Sequence, residues 1–235
     1  MPGIIRAHDR GAESGQLGGG MKGLWAEAVG TFLLFAAVVG SGILAEDLAG
    51  GNVLVAVLAV VVATSAMLQL LVTMLGPVSG AQFNPAVSLV LRLRGEGSWG
   101  GLVLLVAVQC AAGIAAVWCV HAMFELPILQ ASAHSRSGAG LWLGEFVATF
   151  GLLLTILLTA RHKPDALPTS VALYIAAAIL FTSSTCFANP AITLARALTD
   201  SFTGIAPANV PAFVAAQIAG ALAAHWLERA LYPAE

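Results

Sequence analysis

Asn84 and Asn189 are each followed by Pro-Ala, giving Asn84-Pro85-Ala86 and Asn189-Pro190-Ala191 in a chain that is 59% hydrophobic and 9% charged. Asparagine is a favoured helix N-cap. Proline suits the first helical position, where its missing N–H would have no partner anyway. Each tripeptide therefore reads as a helix start placed at the end of an apolar stretch. The apolar runs that follow, 87–91 and 192–198, are too short to cross a bilayer. About nine helical residues rise only about 14 Å, near half of a hydrocarbon core of about 30 Å. The economical reading is two re-entrant half-helices, one from each face, meeting N-terminus to N-terminus near the midplane. Two helix N-termini place partial positive charge there, and each asparagine amide can donate to a passing hydroxyl or water oxygen. A cation meets a barrier while a neutral solute finds donors. The chemistry expected is selection of uncharged molecules.

Half-helices at that depth need a scaffold around them, because irregular backbone is tolerated in a membrane only where protein buries it or a cavity hydrates it. Six stretches are apolar enough to span: 24–44, 53–75, 102–123, 141–159, 168–187 and 210–231. A soluble domain carries about 25% charged residues, so the lipid bilayer is the expected surrounding. A net charge of −2 gives no basic patch and argues against nucleic acid as a partner. Residues 1–20 lack the apolar core of a secretory signal and read as a disordered cytoplasmic tail. The remainder, 21–235, reads as one channel domain. With six spans both termini share a side. If that side is cytoplasmic, only Arg136 and Arg196 among the basic residues fall outside, as the positive-inside rule prefers.

The chain also echoes itself. "AEAVGTF" from Ala26 returns as "GEFVATF" from Gly144, and "SGAQFNPAVSLVLRLRG" returns as "TCFANPAITLARALTD". Three spans precede the second copy, so the halves (about 21–125 and 140–232) run in opposite senses through the membrane. The fold class expected is an all-α membrane protein with six transmembrane helices, two re-entrant half-helices and an inverted three-span repeat. Glu27 and Glu145 fall in the echoed segments. An intramembrane acid invites a functional reading, but the symmetric placement favours a scaffold role, accepting backbone N–H bonds from a re-entrant loop, over a proton relay. Cys110, Cys119 and Cys186 lie in apolar segments and read as free thiols. His121, His134, His162 and His225 show no ligand spacing, so neither a metal nor another cofactor is expected. Gly113 and Gly220 suit close helix packing.

These spans and motifs, "AEAVGTF", "SGAQFNPAV" and "FANPAITLAR", resemble the aquaporin (major intrinsic protein) family over about residues 21–232. The resemblance implies one pore per subunit, a homotetramer and a plasma-membrane location. The longer string "FTSSTCFANPAITLARALTDSFTGIAP" is similar to a bacterial aquaglyceroporin-like branch associated with arsenic resistance, whose members pass small neutral metalloid hydroxides. The family also carries a second constriction toward the outer face. The family's usual offsets from the motifs place it at Thr64, Ala177, Cys186 and Ile192, where water-selective members have an aromatic at the first position, histidine at the second and arginine at the last. Loss of bulk and fixed charge together implies a wider, less polar filter. That filter would pass glycerol-type solutes or trivalent arsenic hydroxides such as arsenous acid as well as water. Gln82 stands where the family often has histidine and should line the inner vestibule. Arg196, one turn beyond Ile192, either supplies a displaced charge at the outer mouth or has a structural role, pairing with Asp200 or anchoring the outer loop, the structural role being favoured.

Other readings stay in view. An ordinary water-selective aquaporin is the nearest, and an ion-coupled transporter is more distant. An intramembrane hydrolase would need a Ser–His or paired-Asp constellation that no span supplies, so no enzyme is expected.

Overall fold

The computed structural model describes residues 20–233. The expected tail at 1–20 lies outside the described residues except for Gly20, with which the first helix begins. Eight α-helices follow: α1 (Gly20–Leu48), α2 (Val53–Ser79), α3 (Pro85–Leu93), α4 (Trp99–Met123), α5 (Ala139–His162), α6 (Leu167–Phe181), α7 (Pro190–Arg196) and α8 (Val210–Leu231). No strand occurs among the described residues. Six of the helices are long and apolar enough to cross a membrane, α6 together with the 3₁₀ turn Pro164–Ala166 that leads into it. Capping residues mark where several begin. Asn52 accepts from the Val55 N–H at 3.2 Å to start α2, and Ser98 accepts from Gly101 at 3.0 Å to start α4. At its other end α2 closes on Gly80, whose left-handed φ of 87° lets its N–H reach the Gly76 carbonyl, the usual glycine stop.

The short helices α3 and α7 touch each other and both pack on α4 and α8, while α1 packs against α2 and α4, α5 against α6 and α8, and α2 against α6 between the halves. The fifth span ends earlier than the apolar run predicts, at Phe181 rather than near 187. Thr182 turns its hydroxyl back to the Ala178 carbonyl at 2.7 Å, and Thr185, Cys186 and Ala188 take positive φ of 59°, 51° and 47°. Side-chain hydroxyls that bond the backbone compete with helix continuation, so residues 182–188 unwind and run to Asn189. The first loop does the same through Ala81 and Phe83, at φ of 48° and 50°. Each non-glycine residue held there costs about 1–3 kcal/mol, and the surroundings must offset that cost.

The α5–α8 contact depends on a missing side chain. A Cβ on Gly220 would lie 2.3 Å from the Phe146 carbonyl oxygen and 3.0 Å from the Phe150 nitrogen, both backbone atoms that cannot step aside. At Gly113 the obstacle is a side chain, Phe35, at 2.5 Å. Gly220→Val is therefore expected to force α5 and α8 apart and to remove most monodisperse protein from detergent extracts on size-exclusion chromatography, with Gly113→Ala the milder change. A wild-type elution profile and melting temperature for Gly220→Val would refute the close-contact argument.

Candidate functional site

The two unwound loops are held by buried carboxylates arranged alike in the two halves. Glu27 accepts N–H bonds from Gln82 and Phe83, both at 2.8 Å, the Ser79 hydroxyl at 2.7 Å and the Gln109 amide at 3.0 Å. Glu145 accepts from the Phe187 and Ala188 N–H groups, both at 2.9 Å, and from the Gln217 amide at 2.6 Å. Both carboxylates are fully buried, and neither lines the central cavity. Their lone pairs are engaged by the strained residues and their neighbours, and hydrogen bonds to an ionised acceptor are the strong kind. Gln109 and Gln217 continue the arrangement to the half-helices, reaching Ser88 at 3.2 Å and Thr193 at 2.8 Å. Those hydroxyls in turn bond the carbonyls of Asn84 and Asn189. Sequence reasoning passed over both glutamines. The available signal was an amide standing in the middle of an apolar span in each half.

The asparagines join the halves. Each side-chain oxygen caps its own helix, Asn84 accepting from Ala86 at 2.9 Å and Asn189 from Ala191 at 2.9 Å and Ile192 at 3.3 Å. Each amide nitrogen donates across to the other loop: Asn84 to the Ala188 carbonyl and Asn189 to the Phe83 carbonyl, both at 2.8 Å. The half-helices therefore meet N-terminus to N-terminus. An amide nitrogen carries two hydrogens, so each asparagine keeps one beyond this crossed pair. Both asparagines line the cavity, with Pro85, Ala86, Pro190 and Ala191 forming the first turns behind them.

That cavity has a volume of about 340 Å³. Its walls are largely aliphatic, from residues such as Val60 on α2, Val171 on α6 and Val87 on α3, interrupted by few polar groups. Gln82 and Thr64 line it, and the side-chain oxygen of each is buried without a protein partner. Cys186 and Ile192 line it too, both buried, Cys186 as a free thiol.

Ala177 does not line it. This residue is exposed on the outer side of α6, and the helix turns Val171, Ile175 and Ile179 to the cavity instead. At 100° per residue, Ala177 sits about 200° round the axis from both isoleucines. Counting back from Asn189 lost the helical phase because residues 182–188 are not helical. The α6 wall is thus bulkier and more apolar than an alanine would make it.

Two arginines reach the same cavity near Phe202 and Thr203. Arg196, only 5% exposed, donates from Nε to the Thr203 carbonyl, and its guanidinium lies 3.3 Å from the centre of the Phe187 ring. Asp200 is not its partner. That carboxylate accepts from the Ala133 N–H at 2.8 Å and stands 3.9 Å from His134. The second cation, Arg136, comes from the loop between α4 and α5, and sequence reasoning gave it no place in the site. It donates from Nε to the Gly204 carbonyl at 2.7 Å and from Nη2 to the Phe202 carbonyl at 3.1 Å, and it lies 5.3 Å from the same Phe187 ring. Burial lowers the Arg136 pKa from its ordinary value, a shift the Glu145 carboxylate opposes. Among the described residues neither arginine forms an ion pair. No cluster of His, Cys, Asp and Glu able to hold a metal occurs among them either.

Comparison with known proteins agrees with this geometry. The family model described as "Major intrinsic protein" matches residues 17–188. Aquaglyceroporin AqpS of Rhizobium meliloti (strain 1021) is 50% identical over 204 residues, 87% of this chain and 87% of that one. The X-ray structure of the aquaglyceroporin from Plasmodium falciparum superposes with a TM-score of 0.66 at 18% identity, covering 89% of this chain and 96% of the other. The last of these speaks to the fold alone.

Proposed function

Since the chain belongs to the major intrinsic protein family, we propose that it is a passive channel for small neutral solutes of the glycerol type, together with water and trivalent metalloid hydroxides such as arsenous acid. The observation that carries this reading is a largely aliphatic cavity in which Ile192 stands at the filter position where arginine is usual, while two asparagine amides supply central donors. A solute with an apolar face and a few hydroxyls fits such a wall better than a pore lined throughout with donors. The Rhizobium relative, named an aquaglyceroporin, supports the same class of solute.

In this reading Thr64, Cys186, Ile192 and the α6 isoleucines set the width of the filter, and Gln82 serves the inner vestibule. Glu27 and Glu145 hold the loops and move no protons, which removes the chief argument for an ion-coupled carrier. The chain works as a homotetramer in the plasma membrane with both termini cytoplasmic. The distribution of charge supports that orientation. Arg136 and Arg196 share one end of the molecule through the carbonyls of 202–204. At the other end Arg94 and Arg161 gather on Glu228, and Arg92 lies 5.0 Å from the Trp99 ring.

Stopped-flow measurements on proteoliposomes with water, glycerol, urea and arsenous acid test the proposal. Glycerol uptake well above that of protein-free vesicles, independent of any pH gradient, is expected. Water flow without glycerol or arsenous acid uptake would leave the water-selective reading in its place.

A further inference from the structure

The loss of arginine at the usual filter position leaves a question that the two displaced arginines answer together. Arg136 and Arg196 start from different segments and converge on one aromatic ring and one stretch of backbone. Their three bonds fall on three consecutive carbonyls, Phe202, Thr203 and Gly204. A guanidinium has five N–H donors, so these bonds leave most of the donors uncommitted: both terminal nitrogens of Arg196, and Nη1 with the second Nη2 hydrogen of Arg136. None of those terminal nitrogens is among the buried polar atoms left without a partner. Nη2 of Arg136 has its bond to Phe202, while Nη1 of Arg136 and both terminal nitrogens of Arg196 have no protein partner and are not fully enclosed, and both residues line the cavity.

We propose that Arg136 is a selectivity-determining residue of this channel, forming with Arg196 a two-guanidinium outer filter that turns back cations and offers hydrogen bonds to hydroxylated solutes. The inference rests on the channel reading above and locates its outer charge barrier. Neither group forms an ion pair among the described residues, so two positive charges stand against the one nearby carboxylate of Glu145, and low-dielectric walls concentrate the net positive field in the opening. Phe187, stacked against both, keeps the guanidiniums at the wall. The opening between them is then left to the aliphatic wall that includes Ile192.

A purely structural role, with Arg136 as a staple for the 202–204 loop, is the reading to beat. The loop has other supports. His121 reaches the Thr199 hydroxyl at 2.9 Å, Thr199 bonds Ser201 at 3.1 Å, and Ser201 lies 3.3 Å from the Thr203 hydroxyl. The backbone adds Gly204 N–H to Ser201 O at 2.7 Å and Ile205 N–H to Arg196 O at 3.2 Å. Those bonds fix the loop without Arg136.

The test is cation current across planar bilayers, measured beside glycerol uptake into proteoliposomes, for wild type, Arg136→Ala, Arg136→Lys and Arg136→Cys. Wild type should pass glycerol and no measurable Na⁺. Failure of its glycerol uptake would remove the channel reading, whatever the variants do. Arg136→Ala should raise the ratio of Na⁺ current to glycerol uptake by about tenfold or more, the scale of losing one nearby charge from a low-dielectric opening. Arg136→Lys, which keeps the charge and loses the two-pronged grip, should restore the barrier. Arg136→Cys, folded and reconstituted first, should leak. A cationic methanethiosulfonate should close the leak and an anionic one enlarge it, with unmodified wild type as the control for native thiols. Cation tightness in Arg136→Ala would overturn the proposal. So would equal leakage in the Ala and Lys variants, or a leak indifferent to the sign of the thiol label.

Discussion

Glu145→Ala is expected to yield almost no folded protein. The carboxylate satisfies two backbone N–H groups and the Gln217 amide, all buried. Leaving a buried donor unsatisfied costs about 1–3 kcal/mol each, so three such losses are comparable with the whole stability of a typical domain, about 5–15 kcal/mol. One of these donors belongs to Ala188, already at a φ of 47°, and the next residue is Asn189. Without the carboxylate the loop relaxes, and the crossed bonds of Asn84 and Asn189 are lost with it. Glu27→Ala should behave in the same way, because four donors depend on that side chain. Thermal melting in detergent and fluorescence-detected size exclusion measure the effect directly. The glutamine variants separate the two roles considered for these acids. An amide turns an NH₂ toward a donor, so Glu145→Gln should also melt lower than wild type. A proton relay predicts the reverse, with wild-type stability and a changed pH dependence of flux.

How far the sequence discloses this architecture can be judged from those same residues. Asn-Pro-Ala announces a helix start because capping and proline placement are local rules, and the positions of α3 and α7 follow directly. Glu27 and Glu145 are visible because a carboxylate in an apolar span is costly and its repetition in the second half needs a reason. Ala177 shows where local rules stop. Its predicted place depended on counting along a helix through residues 182–188, which are extended and left-handed, and the phase was lost. No periodicity reveals that Thr185, Cys186 and Ala188 are held at positive φ, a conformation that glycine would signal. Arg136 was beyond reach for a different reason. It sits in a long connection, and only the tertiary path of that loop carries it to Phe187. Arg196 was seen, but its two readings were posed as alternatives, whereas the side chain both ties down the outer loop and lines the cavity.

Ile192→Arg should cut glycerol uptake by about tenfold or more while water flow falls much less. The position is buried on the cavity wall at the third residue of α7, its N–H held by Asn189. A side chain there cannot turn away from the opening without leaving its helix. Arg196 is one turn on along the same face, where neighbouring side chains stand about 5–6 Å apart. Two guanidiniums at that spacing repel by about 3 kcal/mol at an effective dielectric of 20. The carbonyls of 202–204 each already hold one arginine N–H, and repulsion from those guanidiniums keeps the new group from sharing the remaining lone pairs. It is left to project toward the axis and hold water, narrowing the path to something a water molecule passes and a polyol does not. Ile192→Arg with Arg196→Ala removes the repulsion and frees the Thr203 carbonyl, and glycerol uptake should partly return. Ile192→Leu, similar in volume and uncharged, should keep the wild-type ratio of glycerol to water. An Ile192→Arg variant that takes up glycerol as fast as wild type would mean that the width of this channel is set elsewhere, with Ile175 and Ile179 on α6 the next positions to change.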